Sequence, residues 1–318
     1  MSHKVKWLIG HEPIDYFVAV AECFADEVNK RTDNAFEVEI LSLTDYANKY
    51  NNGKRITKED LMEMLDNGTV EMSHTYTTWL ADYNKDLHAL DLPFLFSDHD
   101  HADRVLEGEI GTELLASIEK VSNTRGLGFT YSGGYRIVPA NFRASSIDAF
   151  KGKDVRVSKS PVAEDVFKLL GANPKDIRLE DMNEHVKNGD IEAGESTFVR
   201  VLPLEQHKEF KYVNDTGHSL FLTSIIANKD WMNQFDLETQ KIMAEAAFVA
   251  SRMERRFSVE DEPRIQGEIA AAKVEVVRMS SEEIEKFKQI SAPVYEMYKD
   301  YFTDGLVDRM LNERSTKH

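Results

Sequence analysis

The sequence predicts an α/β protein in two lobes, and three observations predict it. Apolar strand-like runs alternate with amphipathic helical runs through the first 75 residues, the opening of a parallel sheet. The same alternation restarts near Gly134. The chain's 318 residues are also long for one hydrophobic core and fit two domains.

Residues 5–9, Val-Lys-Trp-Leu-Ile, read as a buried first strand. Residues 10–15 turn into a helix with Asp15 as its N-cap. Apolar residues at 17, 20, 21, 24 and 28 then keep the helical period to Arg31. Residues 36–40 alternate as a second strand, and the polar stretch 48–54 reads as a loop. Residues 58–66 form a helix stopped by Asn67-Gly68, and 70–75 a third strand. The second α/β unit holds a strand around Arg156, a helix over 162–170 and a turn over 171–174. A strand at 177–179 and a helix ending at Asn188-Gly189 follow. Residues 219–228 are apolar and β-rich. From Leu237 to about residue 272 the pattern is helical with an interruption at Glu262-Pro263, where proline kinks or restarts a helix long enough to bridge two domains. Ser281-Glu282-Glu283 opens the last helix with a serine cap and early acids.

Composition narrows the function. At 42% hydrophobic and 30% charged the chain is an ordinary globular protein, without an apolar run long enough to span a membrane. Residues 1–5 enter the first strand without a leader, as expected of a cytoplasmic protein or of a mature exported one. A formal charge of −17 excludes general nucleic-acid binding. It leaves room for a small anionic ligand, because salt screens distant charge beyond about 10 Å. The single Cys23 excludes an internal disulfide and a cysteine zinc site; it sits beside a helical apolar face, as a buried thiol would. Asp98-His99-Asp100-His101 and Asp103 mimic a metal cluster, but neighbours on a helix start diverge, so Asp98 reads as a helix cap. His74 within a strand reads as hydrogen-bonded core. No metal, cofactor or catalytic residue is expected, since no nucleophile elbow, zinc pair or phosphate loop occurs.

Two arginines carry the most information. Arg136 lies in Ser132-Gly133-Gly134-Tyr135-Arg136, and Arg156 in Lys151-Gly152-Lys153-Asp154-Val155-Arg156-Val157. The second stands on a strand between valines, so it is rigidly placed and opposite to them in facing. A guanidinium offers a fork of donors that matches a carboxylate. With 56 acidic residues in the chain, a surface ion pair is the competing reading of each. Tyr76, Thr77 and Trp79 follow the third strand at its carboxyl end, where open α/β sheets bind ligands; Trp79 either faces a ligand there or packs in the core. Of His11, Tyr16 and Phe17 after the first strand, Tyr16 is the ligand candidate. Phe198 is either lid or core.

Several segments resemble one family, the solute-binding proteins of tripartite ATP-independent periplasmic (TRAP) transporters. Residues 65–72, Leu-Asp-Asn-Gly-Thr-Val-Glu-Met, are similar to its leu-x-x-gly-x-val-asp-met motif. Residues 92–98, Leu-Pro-Phe-Leu-Phe-Ser-Asp, followed by His101-Ala102, are similar to its leu-pro-phe-leu-phe segment. The two arginine segments, Leu170-Gly171-Ala172-Asn173-Pro174, Asn188-Gly189-Asp190-Ile191-Glu192 and Ile226-Ala227-Asn228-Lys229-Asp230-Trp231 match further family motifs in order. The resemblance implies a type II periplasmic-binding-protein-like fold with a ligand cleft between lobes and a long bridging helix. It implies that Arg156 clamps a ligand carboxylate, that Arg136 adds a contact, and that Ser196 faces the ligand. Here Ile191-Glu192-Ala193-Gly194-Glu195-Ser196-Thr197 departs from the family's asp-gly pattern, and Ser196 stands where the sialate-binding branch has asparagine.

The expected lobes are 1–133 with 222–260, and 134–221 with 261–318, closing by a hinge at the chain crossings. The expected function is that of a monomeric periplasmic receptor that binds a small organic acid and delivers it to the membrane subunits of a TRAP transporter. The aromatic candidates suggest a ligand body larger or less polar than a plain C4-dicarboxylate. The alternatives are an enzyme acting on an organic acid on a two-lobed scaffold, and a ligand-sensing domain of a signalling protein.

Overall fold

The computed structural model describes residues 2–10 and 15–315. In chain order its strands are β1 (His3–Ile9), β2 (Phe36–Ser42), β3 (Met72–Tyr76), β4 (Thr124–Tyr135), β5 (Val138–Ala140), β6 (Asp154–Val157), β7 (Asn173–Asp176), β8 (Ala193–Gly194), β9 (Tyr212–Asp215), β10 (Leu220–Asn228) and β11 (Glu275–Arg278). Two compact units emerge: Met1–Asn84, Leu106–Tyr131 and Leu222–Phe257 in one, Lys85–Val105, Ser132–Phe221 and Ser258–His318 in the other.

The first sheet has the order β2-β1-β3-β10-β4. β1 runs parallel to β2 and β3, while β10 runs antiparallel to β3. The helix Asp15–Arg31 buries Phe17, Val20, Ala21, Phe24 and Val28, the predicted stripe, and Phe24 meets Trp7 of β1 at 5.2 Å between ring centroids. Asp15 is the first described helical residue, not a cap outside the helix; its charge lies in the first turn. His11 and residues 12–14 lie outside the described residues. Cys23 is only half-buried, at the margin of this core, and burial pushes its thiol up. The loop expected over 48–54 is partly helical, because Leu43–Tyr50 forms a helix closed at its start by a reciprocal Ser42–Asp45 capping box. Its stripe is two turns long, too short to stand out as a period. Lys58–Asp66 is a helix as predicted, with its own box at Thr57 and Asp60.

The helix Leu237–Ala271 runs through Pro263 without the expected interruption. Its residues to Phe257 belong to the first unit and those from Ser258 to the second.

The second sheet has the order β11-β9-β5-β8-β6-β7. β6 lies parallel between β8 and β7, and β5 is antiparallel to both β8 and β9. β7 occupies 173–176, not the expected 177–179. The chain pairs at once after the Gly171 turn, with Gly152 N–H donating to Gly171 O (2.7 Å) and Asn173 N–H to Lys153 O (2.8 Å). The helix Met182–Asn188 ends on Gly189 at φ 78°, as predicted. The late cap is Ser280, one residue before the expected one, and helices Pro293–Met297 and Leu306–Asn312 follow that helix. Residues 85–105, read from sequence with the first lobe, fall in the second unit. Long-range hydrogen bonds tie them to the C-terminal region: Thr303 N–H to Asp86 (2.8 Å), Tyr295 O–H to Pro93 O (2.8 Å) and Arg104 Nε to Glu313 O (2.9 Å).

Candidate anion-binding site

Arg136 is placed by the two glycines before it. Gly133 and Gly134 have φ of 85° and 80°, a region costly for other residues. A Cβ on Gly133 would come within 2.4 Å of Val199 Cγ2. The end of β4 delivers Arg136 into the second unit at 2% exposure, its N–H on Ser219 O (2.8 Å) and its carbonyl accepting from Gly217 N–H (3.1 Å). Its guanidinium lies 4.0 Å from the centroid of the Phe221 ring.

Arg156 sits on β6 between the buried Val155 and Val157 and is itself 8% exposed. Its Nε donates to Ile177 O (2.9 Å) and its Nη1 to Glu195 O (3.1 Å). These bonds hold the fork against rotation. Ser196 is bridged to Ile137, with Ile137 N–H donating to Ser196 O (2.9 Å) and the reverse bond at 3.0 Å. Arg136, Arg156 and Ser196 therefore meet around one residue, Glu195.

Glu195 is 1% exposed. Its Oε1 lies 3.9 Å from Arg136 Nε and 3.0 Å from His218 Nε2; its Oε2 accepts from Ser158 N–H (2.7 Å) and Ser158 O–H (3.1 Å). Burial alone would push this carboxyl up. The Arg136 charge, the His218 hydrogen bond and the Ser158 N–H hold it well below the usual carboxylate range. Since the carboxylate only accepts, His218 Nε2 carries a proton. Thr216 Oγ1 lies 2.8 Å from His218 Nδ1 and 3.4 Å from Arg136 O, which ties this imidazole to the Arg136 backbone. Neither Glu195 nor His218 was singled out from sequence. Glu195 stood beside the chosen Ser196, while His218 lies in a loop between strands, where no periodicity marks it.

Two polar atoms here are buried without a hydrogen-bond partner among the described residues: Arg136 Nη2 and Ser196 Oγ. Buried donors left unmatched are costly, and a ligand is one thing that satisfies them.

Of the other candidates, Tyr16, Tyr76 and Trp79 belong to the first unit and Phe198 to the second. Tyr76 is buried in the first unit with Lys58 Nζ 4.9 Å from its ring centroid. Half-buried Tyr16 packs on Phe257 at 5.2 Å, and Phe17 is core, edge-on to His74 at 4.6 Å. Trp79 lines a hollow of about 360 Å³ with Glu59, Glu63, Asp66 and Asp82, surroundings that repel a carboxylate. Phe198 is 2% exposed and lines a cavity that neither arginine touches. Asp98 caps its helix, Oδ1 accepting from His101 N–H at 2.7 Å, and the described residues contain no His, Cys, Asp or Glu group able to hold a metal. His74 is buried with Nε2 2.6 Å from Thr130 Oγ1, its basicity pushed down to about 3 by burial. Among the described residues no helix is long and apolar enough to cross a membrane.

The model of the bacterial extracellular solute-binding protein family 7 (DctP) matches residues 12–301. The C4-dicarboxylate-binding protein DctB of Bacillus subtilis is 24% identical over 295 residues, 92% of this chain and 81% of that protein. The C4-dicarboxylate-binding periplasmic protein DctP of Rhodobacter capsulatus is 25% identical over 281 residues, 86% of this chain and 79% of that one. Among solved structures, a TRAP periplasmic solute-binding protein of Shewanella oneidensis with bound succinate superposes with a TM-score of 0.86 at 19% identity, covering 99% of this chain and 100% of that one. Another from Pseudomonas putida F1, with bound D-glucuronate, gives 0.85 at 21% identity, covering 99% and 98%. The family match spans most of the chain, and with it the choice between receptor and enzyme is made: this protein belongs to the bacterial extracellular solute-binding protein family 7, the TRAP-type solute receptors.

Proposed function

We propose that this receptor binds a small organic acid whose carboxylate is held by Arg156 and Arg136, with Ser196 beside them, in the periplasm, and passes it to the membrane subunits of a TRAP transporter. The observation that carries the reading is the pair of buried, unmatched donors, Arg136 Nη2 and Ser196 Oγ, next to an arginine fork already fixed by two carbonyls. Similarity to proteins named for C4-dicarboxylates, and to structures holding succinate and D-glucuronate, supports an acid as the ligand class. The geometry within the second unit supports the carboxylate more than it supports aromatic walls, since Phe198 faces another cavity. Binding is proposed to close the two lobes about the chain crossings, measurable as a smaller radius of gyration in solution scattering with ligand than without.

The test is a thermal-shift screen over organic acids, then calorimetry of each hit against its methyl ester. Acids should bind and esters should not. Esters binding equally well would remove the arginine clamp. If succinate proves the tightest binder, the aromatic-body idea fails and the clamp survives.

A further inference from the structure

The second unit contains a cavity of about 750 Å³ whose lining includes neither Arg136, Arg156, Glu195 nor Ser196. Its size lies in the range of small-molecule sites, which are apolar with a few placed polar groups. Phe96 and Phe198 are buried walls, at 5% and 2% exposure. Tyr135 and Tyr295 add ring faces, and their hydroxyls are turned to carbonyls: Tyr295 to Pro93 O at 2.8 Å, Tyr135 to Phe96 O at 3.5 Å.

Two cations gather at Phe94. Lys288 Nζ lies 5.6 Å from its ring centroid, and Arg314 Nη2 donates to Phe94 O and Leu95 O, both at 2.7 Å. Phe94 itself has φ 54°, in the left-handed region that non-glycine residues avoid, and its N–H is fixed on His218 O at 2.7 Å. Burial pushes the lining carboxyls Asp215 and Glu262 up, toward their neutral forms, with Asp215 adding to the rise at Glu262 and the charge of the third lining cation, Arg278, acting against it. Among the described residues Lys288 Nζ is ion-paired with the exposed Glu285 at 3.7 Å, and that residue does not line the cavity.

We propose that this cavity is a second small-molecule site, taking an amphipathic organic anion with its apolar or aromatic body on Phe96, Tyr135 and Phe198 and its anionic head at Lys288 and Arg314. The site does not depend on the carboxylate clamp proposed above.

The test uses the full chain and 8-anilinonaphthalene-1-sulfonate as probe, followed by fluorescence and calorimetry. One saturable site per chain is expected. Ile284→Trp, which fills the cavity, should abolish it, and so should Ala292→Trp at an exposed lining position, included in case the first variant folds poorly. Lys288→Glu should weaken binding by about fivefold or more, the scale of one partly exposed charge contact. Arg156→Ala should leave dye affinity within about twofold, so a failed clamp and a failed cavity give different patterns. No saturable binding by the wild type, or retention in a folded cavity-filled variant, would overturn the proposal. So would indifference to Lys288→Glu, or loss of dye binding in Arg156→Ala.

Discussion

Arg156 and Glu195 play different parts in the same few ångströms. Arg156 is anchored through two carbonyls, so its fork is positioned before any ligand arrives. Arg156→Ala should lower affinity for the ligand acid by two to four decades in calorimetry, the scale of about 3–5 kcal/mol for breaking a buried charge pair. Arg156→Lys should fail nearly as badly, because an ammonium cannot make the bidentate contact. Glu195 holds Arg136 instead. Its carboxyl is depressed in the folded state, so the unfolded chain binds the extra proton as pH falls. The stability it contributes is complete above its ordinary value near 4.5 and is lost as pH drops through the folded value. His74 acts in the same direction: depressed from 6.5 to about 3, it stays neutral in the fold and costs stability as pH falls below 6.5. Urea melts should therefore show a stability that declines from pH 6.5 downward. Glu195→Gln should lower stability at pH 7 and flatten the part of that decline below about pH 4.5. An unchanged slope there would remove Glu195 as a titrating partner of Arg136.

At the scale of elements, the end of β4 decides where Arg136 points. Gly133 answers two demands at once, a φ of 85° and a close approach to Val199. Gly133→Ala should destabilise by more than about 2 kcal/mol, since a 2.4 Å contact adds to backbone strain. Trimming the neighbour with Val199→Ala should recover only part of this, because the backbone cost of about 1 kcal/mol remains. Full rescue in denaturant melts would show that the contact alone matters. The strand around Arg156 was legible in sequence because a glycine turn and flanking valines bound it. β7 was misplaced by four residues because Asn173-Pro174 has turn chemistry, yet the parallel register with β6 starts there. The short helix Leu43–Tyr50 was missed for want of length, although its capping box stands in the sequence.

For the whole molecule, ligand binding and stability are linked. An acid that binds the native state alone should add about 2.7 kcal/mol at a concentration 100 times its dissociation constant. That is a clear rise in melting temperature, absent with the methyl ester and absent in Arg156→Ala. A rise with the ester of equal size would place the stabilising contact away from the arginines. The chain passes between the units at 84/85, 105/106, 131/132, 221/222 and 257/258. The apolar run at 219–228 and the long helix are the sequence features that lie at the late two crossings. The excursion of 85–105 was not legible in sequence, because it is held by residues distant in the chain, such as His218, Tyr295 and Thr303.

By itself the sequence determined the α/β class, the restart near Gly134 and, through motifs in order along the chain, the family. These are local properties: period, turn chemistry and short strings of residues survive without knowledge of distant partners. Tertiary structure alone decided that Glu195 and His218 organise Arg136, that Trp79 stands among carboxylates, and that Phe198 belongs to a different cavity from the arginines. Each of these depends on side chains far apart in the chain meeting in space, and a buried charge takes its meaning from whichever groups it meets there.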